Sequence, residues 1–552
     1  MTSPERTILG IDLGVTALAM ASLEDDGRTR VVPNSEGHDT TLACVHIYEE
    51  DGVAVGSEAR KMMALDPANV LEDVPWHLGE PDWHPLLHGR KWSAQELVAL
   101  CLRKLREDAS DLRGFEARRA VLAVPAWWDS ARRAAAVDAA TIAGIEVLSL
   151  VNQPLAAALG AGIQRSGSDG IYVVFDLGGR DLEVTVLSKQ GETLAVRASQ
   201  ARWDLCWRAF ELRIRTLLVS RFRQVAGTTA TEDETLAQQV VDAAAGVLQT
   251  LCTRDVAATR IAHAGVEARV RVDRGLFAAQ TGTVVDAALA LIDATLAEAG
   301  AKSEDVVSCL AVGRGVRLNN VQLALKQKFG DRLDLPSDPE LCIARGAALL
   351  AAARHDPQHP GLRTPKVVEK APVEDPFALQ INRRNQGPAG PAPKHRAVLG
   401  LADGGHDGDD GGFKIRDVIT ASLGLIALDR ERKERVIPLI PQGTPIPCEV
   451  KGRFTYAYEG MTGVRVEVTE GRGLRREDVQ VVGVVELRGL PPRPVGTPIE
   501  IIYRYNADRL LAVQVIDVDT GIRRNVDLNW RGGMSEAELR RAVQRTSAIE
   551  LE

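Results

Sequence analysis

Two short segments of this 552-residue chain set an aspartate in front of a glycine turn: ILGIDLGVTALAMA at 8–21 and YVVFDLGGRDLEVTVL at 172–187. Each is an apolar run, an Asp, a Leu, glycine, and a second alternating apolar run, the pattern of a β-hairpin. The chemistry such residues offer is the binding of phosphate and of a cation. At Gly14, Gly178 and Gly179 the missing Cβ lets backbone N–H groups close on phosphate oxygens. Asp12 and Asp176 are the residue type that holds magnesium, through its waters, because that ion dehydrates reluctantly. Two such hairpins facing each other grip the phosphates of a nucleotide. The plainer alternative is that Asp-Gly turns only close hairpins.

The elements around the pair must position it. Residues 5–355 alternate strand-like segments (RTILGID, AVLAVPA, YVVFDLG, CLAVGRG) with helix-like ones (AQELVALCLRKLRED, SARRAAAVDAATIAG, GTVVDAALALIDATLAEAG), the signature of an α/β domain. From 356 to 414 the composition turns to Pro, Gly and charge, as in NQGPAGPAPKH and DGGHDGDDGGF, which reads as a flexible linker. From 415 to 528 the chain alternates at period two with frequent turn residues, which predicts an all-β sandwich. In the last stretch, 529–552, SEAELRRAVQRTSAIELE predicts one short helix, with Ser535 and Glu538 at capping-box spacing.

Composition narrows the function classes. With 45% hydrophobic and 26% charged residues the chain can build large cores, and its net charge of −8 carries no basic run, so nucleic acid is not an expected partner. No apolar stretch approaches the ~20 residues of a membrane helix, and MTSPERTILG has no signal-peptide core. Seven scattered Cys without a C-x-x-C predict free buried thiols in a reducing cytoplasm. The ten His include no H-E-x-x-H, so a metal site built from side chains is not expected.

The order of several further motifs resembles the heat-shock protein 70 (DnaK-like) chaperones over about 5–355 and 415–545. The anchors are GIDLG (10–14), AVPAWWDSARRAAAVDAATIAGIEVLSLVNQPLAAAL (123–159), VFDLGG (174–179), LAVGRGVRLNNVQ (310–322) and IARGAALLA (343–351). DVITASLGL (417–425), LIPQGTPIP (439–447), GLPPRPVGTPIEI (489–501) and DTGIRRNV (519–526) follow in the family's order. The resemblance implies an actin-like two-lobed ATPase domain, a peptide-binding β-sandwich and a short C-terminal remnant of a helical lid. It also implies ATP or ADP with magnesium as ligand, at Asp12, Gly14, Thr16, Asp176, Gly178, Gly179, Gly313 and Arg317.

Against that pattern the phosphate end departs repeatedly. Where the family has two threonines in the first loop, this chain has Val15 and Thr16. Pro75 aligns with the family's phosphate-facing lysine, and Lys61 lies near enough in sequence to be a displaced substitute. Gln153 stands for a magnesium-linked glutamate. The second loop reads Gly178, Gly179, Arg180, Asp181, and a carboxylate at Asp181 disfavours phosphate, offset in part by Arg180. Cys206 and Trp207 replace two glycines of a third loop, Ala245, Leu248 and Gln249 alter the adenosine helix, and Arg314 stands at a glycine position beside the expected adenine. Phosphoryl transfer works by positioning and by neutralising charge, so these losses predict weak or absent ATP hydrolysis, a pseudo-ATPase. Pro125 and Arg133 match a conformational relay of the family; alternatively they are a strand-end proline and a solvated helix arginine.

In the sandwich the resemblance places Leu425, Leu428, Phe454, Ala457, Val464 and Val466 around the pocket for an extended peptide's central side chain. Alternating apolar positions also serve as plain sandwich core. Three functions stay open: a cytoplasmic chaperone that binds extended apolar segments of unfolded proteins with ATP hydrolysis weak or lost; a working ATP-dependent chaperone with a rearranged site; and a non-catalytic scaffold for a protein partner or co-chaperone.

Overall fold

The computed structural model describes residues 8–551 apart from 25, 49–51, 115, 227–233, 356–413, 420, 429–432, 472, 507–510 and 528–533. The expected linker, 356–414, lies outside the described residues save for Lys414. The chain forms two units: Met1–Thr364 with Ile415–Thr420 and Trp530–Glu552, and Pro365–Lys414 with Ala421–Asn529.

The first unit has two lobes. The first lobe is built on β1 (Leu9–Leu13), β2 (Ala17–Leu23) and β3 (Thr29–Val31), with β4 (Cys44–Ile47) and β5 (Gly52–Val55) in a small separate sheet. Then come α1 (Ala94–Arg113), β6 (Arg119–Val124), α2 (Ser130–Ile142), β7 (Glu146–Asn152) and α3 (Gln153–Gly160). The main sheet runs β7–β6–β1–β2–β3, with β1, β6 and β7 parallel and β1–β2 antiparallel. The central strand β1 is covered on both faces, and all five of its residues are buried.

The second lobe repeats the plan. β8 (Gly170–Leu177), β9 (Leu182–Gln190) and β10 (Thr193–Arg202) are followed by α4 (Trp207–Ala226), α5 (Glu234–Leu251), α6 (Arg274–Glu298), β11 (Val306–Val312) and α7 (Cys342–His355). The sheet runs β11–β8–β9–β10, and a late strand, β12 (Lys414–Val418), adds to the edge of β10. The two hairpins match in register: Leu13 pairs with Leu18 and Leu177 with Leu182, so Asp12 and Asp176 sit at equivalent places, one residue before each turn-flanking leucine. Helices α3 and α7 pack backbone to backbone between the lobes. A Cβ on Gly346 would lie 1.7 Å from the Ala156 carbonyl oxygen, so only glycine permits that approach.

Helix α6 is, among the described residues, long and apolar enough to cross a membrane by composition, which corrects the expectation that no such stretch exists. Phe277, Val284, Ala288, Leu291 and Ile292 belong to the second lobe's buried core, so its apolar length is that of a core helix.

The second unit is a two-sheet β structure. It comprises β13 (Ser422–Leu428), β14 (Glu434–Ile440), β15 (Cys448–Thr455), β16 (Met461–Gly471), β17 (Val479–Arg493), β18 (Pro498–Tyr505), β19 (Leu511–Asp517) and β20 (Arg523–Asp527). The sheets run β14–β13–β16–β17 and β15–β18–β19–β20. The C-terminal α8 (Glu536–Ser547) starts at the Ser535–Glu538 capping box that the spacing predicts. It and β21 (Glu550–Leu551) belong to the first unit, where β21 pairs with β5. A sandwich beginning at 415 and a lid remnant beginning at 529 therefore divide the chain differently from the fold. The unpaired edge of β10 takes up 414–418 as a strand, and α8 buries Ala542 and Thr546 on the first lobe.

Candidate functional site

The residues expected to bind nucleotide converge. Asp12, Gly14, Val15, Thr16, Gln153, Asp176, Gly178, Gly179, Asp181, Gly313 and Arg317 all line one cavity of about 500 Å³ between the hairpins. Pro75 is not among them; it is buried in the turn Val74–His77. Lys61 is exposed and pairs with Glu58 at 2.6 Å, so it supplies no substitute cation to the cavity.

The cavity's polar groups find partners inside the chain. Gln153 Nε2 donates to Asp12 Oδ1 at 2.7 Å, where a glutamate would have repelled it. Trp127 Nε1 donates to Asp181 Oδ2 at 2.6 Å. Glu183, one strand pair from Asp176, accepts from the Ala126 amide at 3.2 Å and from Ser199 at 2.9 Å. The second and third loops are stitched together: the amides of Trp207 and Arg208 donate to the carbonyls of Gly178 and Gly179 at 3.0 and 3.2 Å. A third loop with glycines would leave those positions open to a ligand. Here Trp207 lines the cavity, and the Arg314 guanidinium lies over its ring at 4.6 Å. Arg317 pairs with Glu340 at 2.7 Å.

Asp12, Asp176 and Asp181 thus share the cavity wall, and Glu183 stands opposite Asp176 in the hairpin, where the Arg133 charge acts on it. Burial pushes Asp12 up to about 7, against the lowering effect of the Gln153 bond, and Glu183 up to about 7, with Asp181 adding to the rise. Asp176 is raised well above the ordinary carboxylate range by burial and by the charges of Asp181, Asp12 and Glu183. Asp181 is raised by burial, less so because the Trp127 N–H favours its anion. Desolvation disfavours the charged form in each case.

Magnesium with a nucleoside triphosphate is the group this floor would be expected to hold. The residues present do not fit it. One oxygen of Asp12 is taken by Gln153, Asp181 adds a further carboxylate to the lining, and no lysine lines the cavity. Among the described residues no three carboxylate, imidazole or thiolate groups are arranged to hold a metal ion.

Several groups of the site went unread in the sequence. Asp73, nine-tenths buried, pairs with Arg180 at 2.9 Å and with Arg208 at 3.6 Å. Trp76, Trp127 and Trp203 meet with ring centroids 5.6–6.2 Å apart. The Trp127–Trp128 doublet was the available signal, since paired large aromatics after a strand seldom both face water. Arg133 is not a solvated helix arginine: it is 2% exposed and donates to the carbonyls of Pro125 and Trp128 at 3.2 and 3.0 Å and to Asn152 at 2.8 Å. It fixes the strand end that carries Ala126 and Trp127.

In the second unit the six apolar residues divide. Leu425 and Val466 are 2% and 3% exposed and belong to the sandwich core. Phe454, Ala457 and Val464 are half-buried, and Leu428, the last residue of β13, is exposed. Val464 and Val466 share a face of β16 with Val468, which stands opposite Leu425, so exposure grows along one face toward the end of the strand.

Residues 8–86, 84–360 and 400–552 match the family model described as Hsp70 protein. Similar curated proteins include the chaperone protein DnaK of Thermosipho melanesiensis, 27% identical over 99% of this chain and 84% of that protein. The DnaK of Thermotoga petrophila is 27% identical over the same shares. That of Methanothermobacter thermautotrophicus is 28% identical over 97% of this chain and 82% of the relative.

Proposed function

The chain belongs to the Hsp70 family, and we propose that it is a member uncoupled from ATP: a cytoplasmic chaperone that holds extended apolar segments of unfolded proteins in its β unit, with ATP hydrolysis weak or lost. The observation that carries the second half is the pairing of Asp12 with Gln153 at 2.7 Å. The family binds ATP or ADP with magnesium, and catalysis of phosphoryl transfer rests on a metal and cations that neutralise developing charge. Here the metal-side carboxylate is hydrogen-bonded to an amide, and burial raises the carboxylates around it.

The peptide half rests on the graded exposure of Val464, Ala457, Phe454 and Leu428. The mode is an extended segment held by backbone hydrogen bonds with one apolar side chain as anchor. Helix α8 belongs to the first unit and not to the β unit that would hold the peptide. A co-chaperone partner is in keeping with the family.

Two measurements on the full chain test the halves separately. Titration with a fluorescent ATP analogue and magnesium, with phosphate release followed in parallel, is expected to show no turnover; saturable binding with turnover would establish the rearranged ATPase instead. A short apolar peptide is expected to bind reversibly and to bind at least tenfold more weakly to Val464→Phe. Equal binding by both proteins, or by neither, removes the peptide reading.

A further inference from the structure

The loops that would cradle a terminal phosphate converge on a carboxylate of the chain itself. Asp73 Oδ2 lies 2.9 Å from Arg180 Nε and 3.6 Å from Arg208 Nη1. Arg180 comes from the turn of the second hairpin, and Arg208 follows the third loop. Burial raises the Asp73 carboxyl above its ordinary range, and the charges of Arg180 and Arg208, with the Thr16 hydroxyl from the turn of the first hairpin, offset part of that rise. Two guanidinium groups and a hydroxyl around one oxyanion are the donor set that recognises phosphate.

The backbone is bent to bring Asp73 there. Its φ is 57° and ψ 33°, a left-handed conformation that a residue with a Cβ adopts at a cost, and such outliers persist where the surroundings hold them. The side chain lies in the first lobe, while both arginines belong to the second. The same junction is tied by Trp76, which meets Trp127 at 5.6 Å and Trp203 at 6.2 Å. Arg180 stacks over Trp76 at 5.2 Å. Arg60 adds a contact between the lobes, 3.4 Å from Asp242.

We propose that Asp73 is a built-in anion that occupies the Thr16–Arg180–Arg208 cradle, excludes a tetrahedral oxyanion from it, and latches the two lobes together without any ligand. Resting on the reading that ATP no longer drives this protein, the proposal adds what replaces the phosphate: a tethered carboxylate that is never hydrolysed or released. A pair of arginines with their anion removed is an empty phosphate site, so the latch is also an autoinhibitory contact.

The test uses the full chain and Asp73→Asn, which keeps a residue type tolerant of left-handed backbone and removes the charge. Inorganic phosphate is titrated by calorimetry and followed by tryptophan fluorescence, since Trp76, Trp127 and Trp203 report on the junction. Wild type is expected to bind phosphate at least tenfold more weakly than Asp73→Asn. The variant's emission is expected to differ from wild type and to move back toward it as phosphate fills the cradle. Adding Arg208→Ala, at a largely exposed position, is expected to abolish the gain, and thermal melts check that each variant is folded. If folded Asp73→Asn binds phosphate no better than wild type, or if its gain survives Arg208→Ala, the proposal is overturned. ATP in place of phosphate tells whether a nucleotide's terminal group enters the opened cradle. Phosphate release by wild type bears on the loss of ATPase activity alone, so the two readings can fail separately.

Discussion

A carboxylate whose lost hydration is only partly replaced holds its proton more tightly. Asp12 and Glu183 both have an ordinary value near 4 and are held near 7 by burial. The folded state therefore binds more protons than the unfolded chain between those values, and stability falls as pH rises through that window. Below about pH 4 the full contribution is present; above about pH 7 the cost of burying two anions is fully felt. Asp12→Asn and Glu183→Gln are each expected to raise the unfolding free energy of the first unit at pH 8, by on the order of 1–3 kcal/mol, and to leave it nearly unchanged at pH 4. Tryptophan-monitored denaturation at the two pH values measures this; equal effects at both would show that the carboxylates are neutralised in another way. The aspartates themselves were legible, because an apolar run ending in Asp-Leu-Gly is a local pattern. Asp73, Glu183 and Trp127 were not. Their meaning comes from partners brought by other strands and, for Asp73, from a backbone angle that no neighbouring residue announces.

Helix α8 shows the same division one level up. Its boundary follows from local chemistry: Ser535 accepts from the Glu538 amide at 3.3 Å and Glu538 reaches back to the Ser535 amide at 2.8 Å. Where it docks does not. Ala542 and Ile549 are buried in the first lobe's core. Arg103 of α1 donates to the Thr546 and Ile549 carbonyls at 2.6 and 2.7 Å, satisfying the helix's last acceptors. The Met534 amide donates to Asp138 at 2.6 Å, and Arg545 pairs with Glu96. A helix capped and buried in this way is packed into the core of the lobe. Ala542→Asp places an unpaired charge in that core and is expected to cost at least about 2 kcal/mol of first-unit stability. Deletion of 534–552 is expected to lower the same transition while leaving peptide affinity within twofold. A deletion that leaves the first unit's melting temperature unchanged would return the helix to the role of a lid.

At the scale of the whole chain the two units are set against each other in acid. The sandwich is keyed by Asp517, fully buried, which accepts from Tyr456 at 2.9 Å, from Arg493 at 2.9 Å and from the Thr520 amide and hydroxyl at 2.9 and 2.7 Å. Those donors hold its carboxyl well below the usual range despite burial, and burial together with the bond to Asp517 pushes the Tyr456 hydroxyl up to about 12. A depressed carboxylate contributes stability that is present above its unfolded value and lost as pH falls below about 4. The first unit has the opposite sign, gaining as pH falls from 8 to 5. The sign follows the balance at each carboxylate between the cost of burial and the number of donors it meets. Family order along the chain made the two units legible, but not this contrast, because Arg493 and Asp517 stand on separate strands and only the fold brings them together. All the tryptophans fall in the first unit and four of the six tyrosines in the second, so one thermal scan read at two wavelengths separates the transitions. Between pH 8 and pH 5 the tryptophan transition is expected to rise by at least roughly 2 °C with the tyrosine transition steady; below pH 4 the tyrosine transition falls. Asp517→Ala is expected to cost the sandwich roughly 3–5 kcal/mol at pH 7, since it strands a buried arginine, and to remove the acid dependence. Transitions that move together at every pH would mean that the units unfold as one.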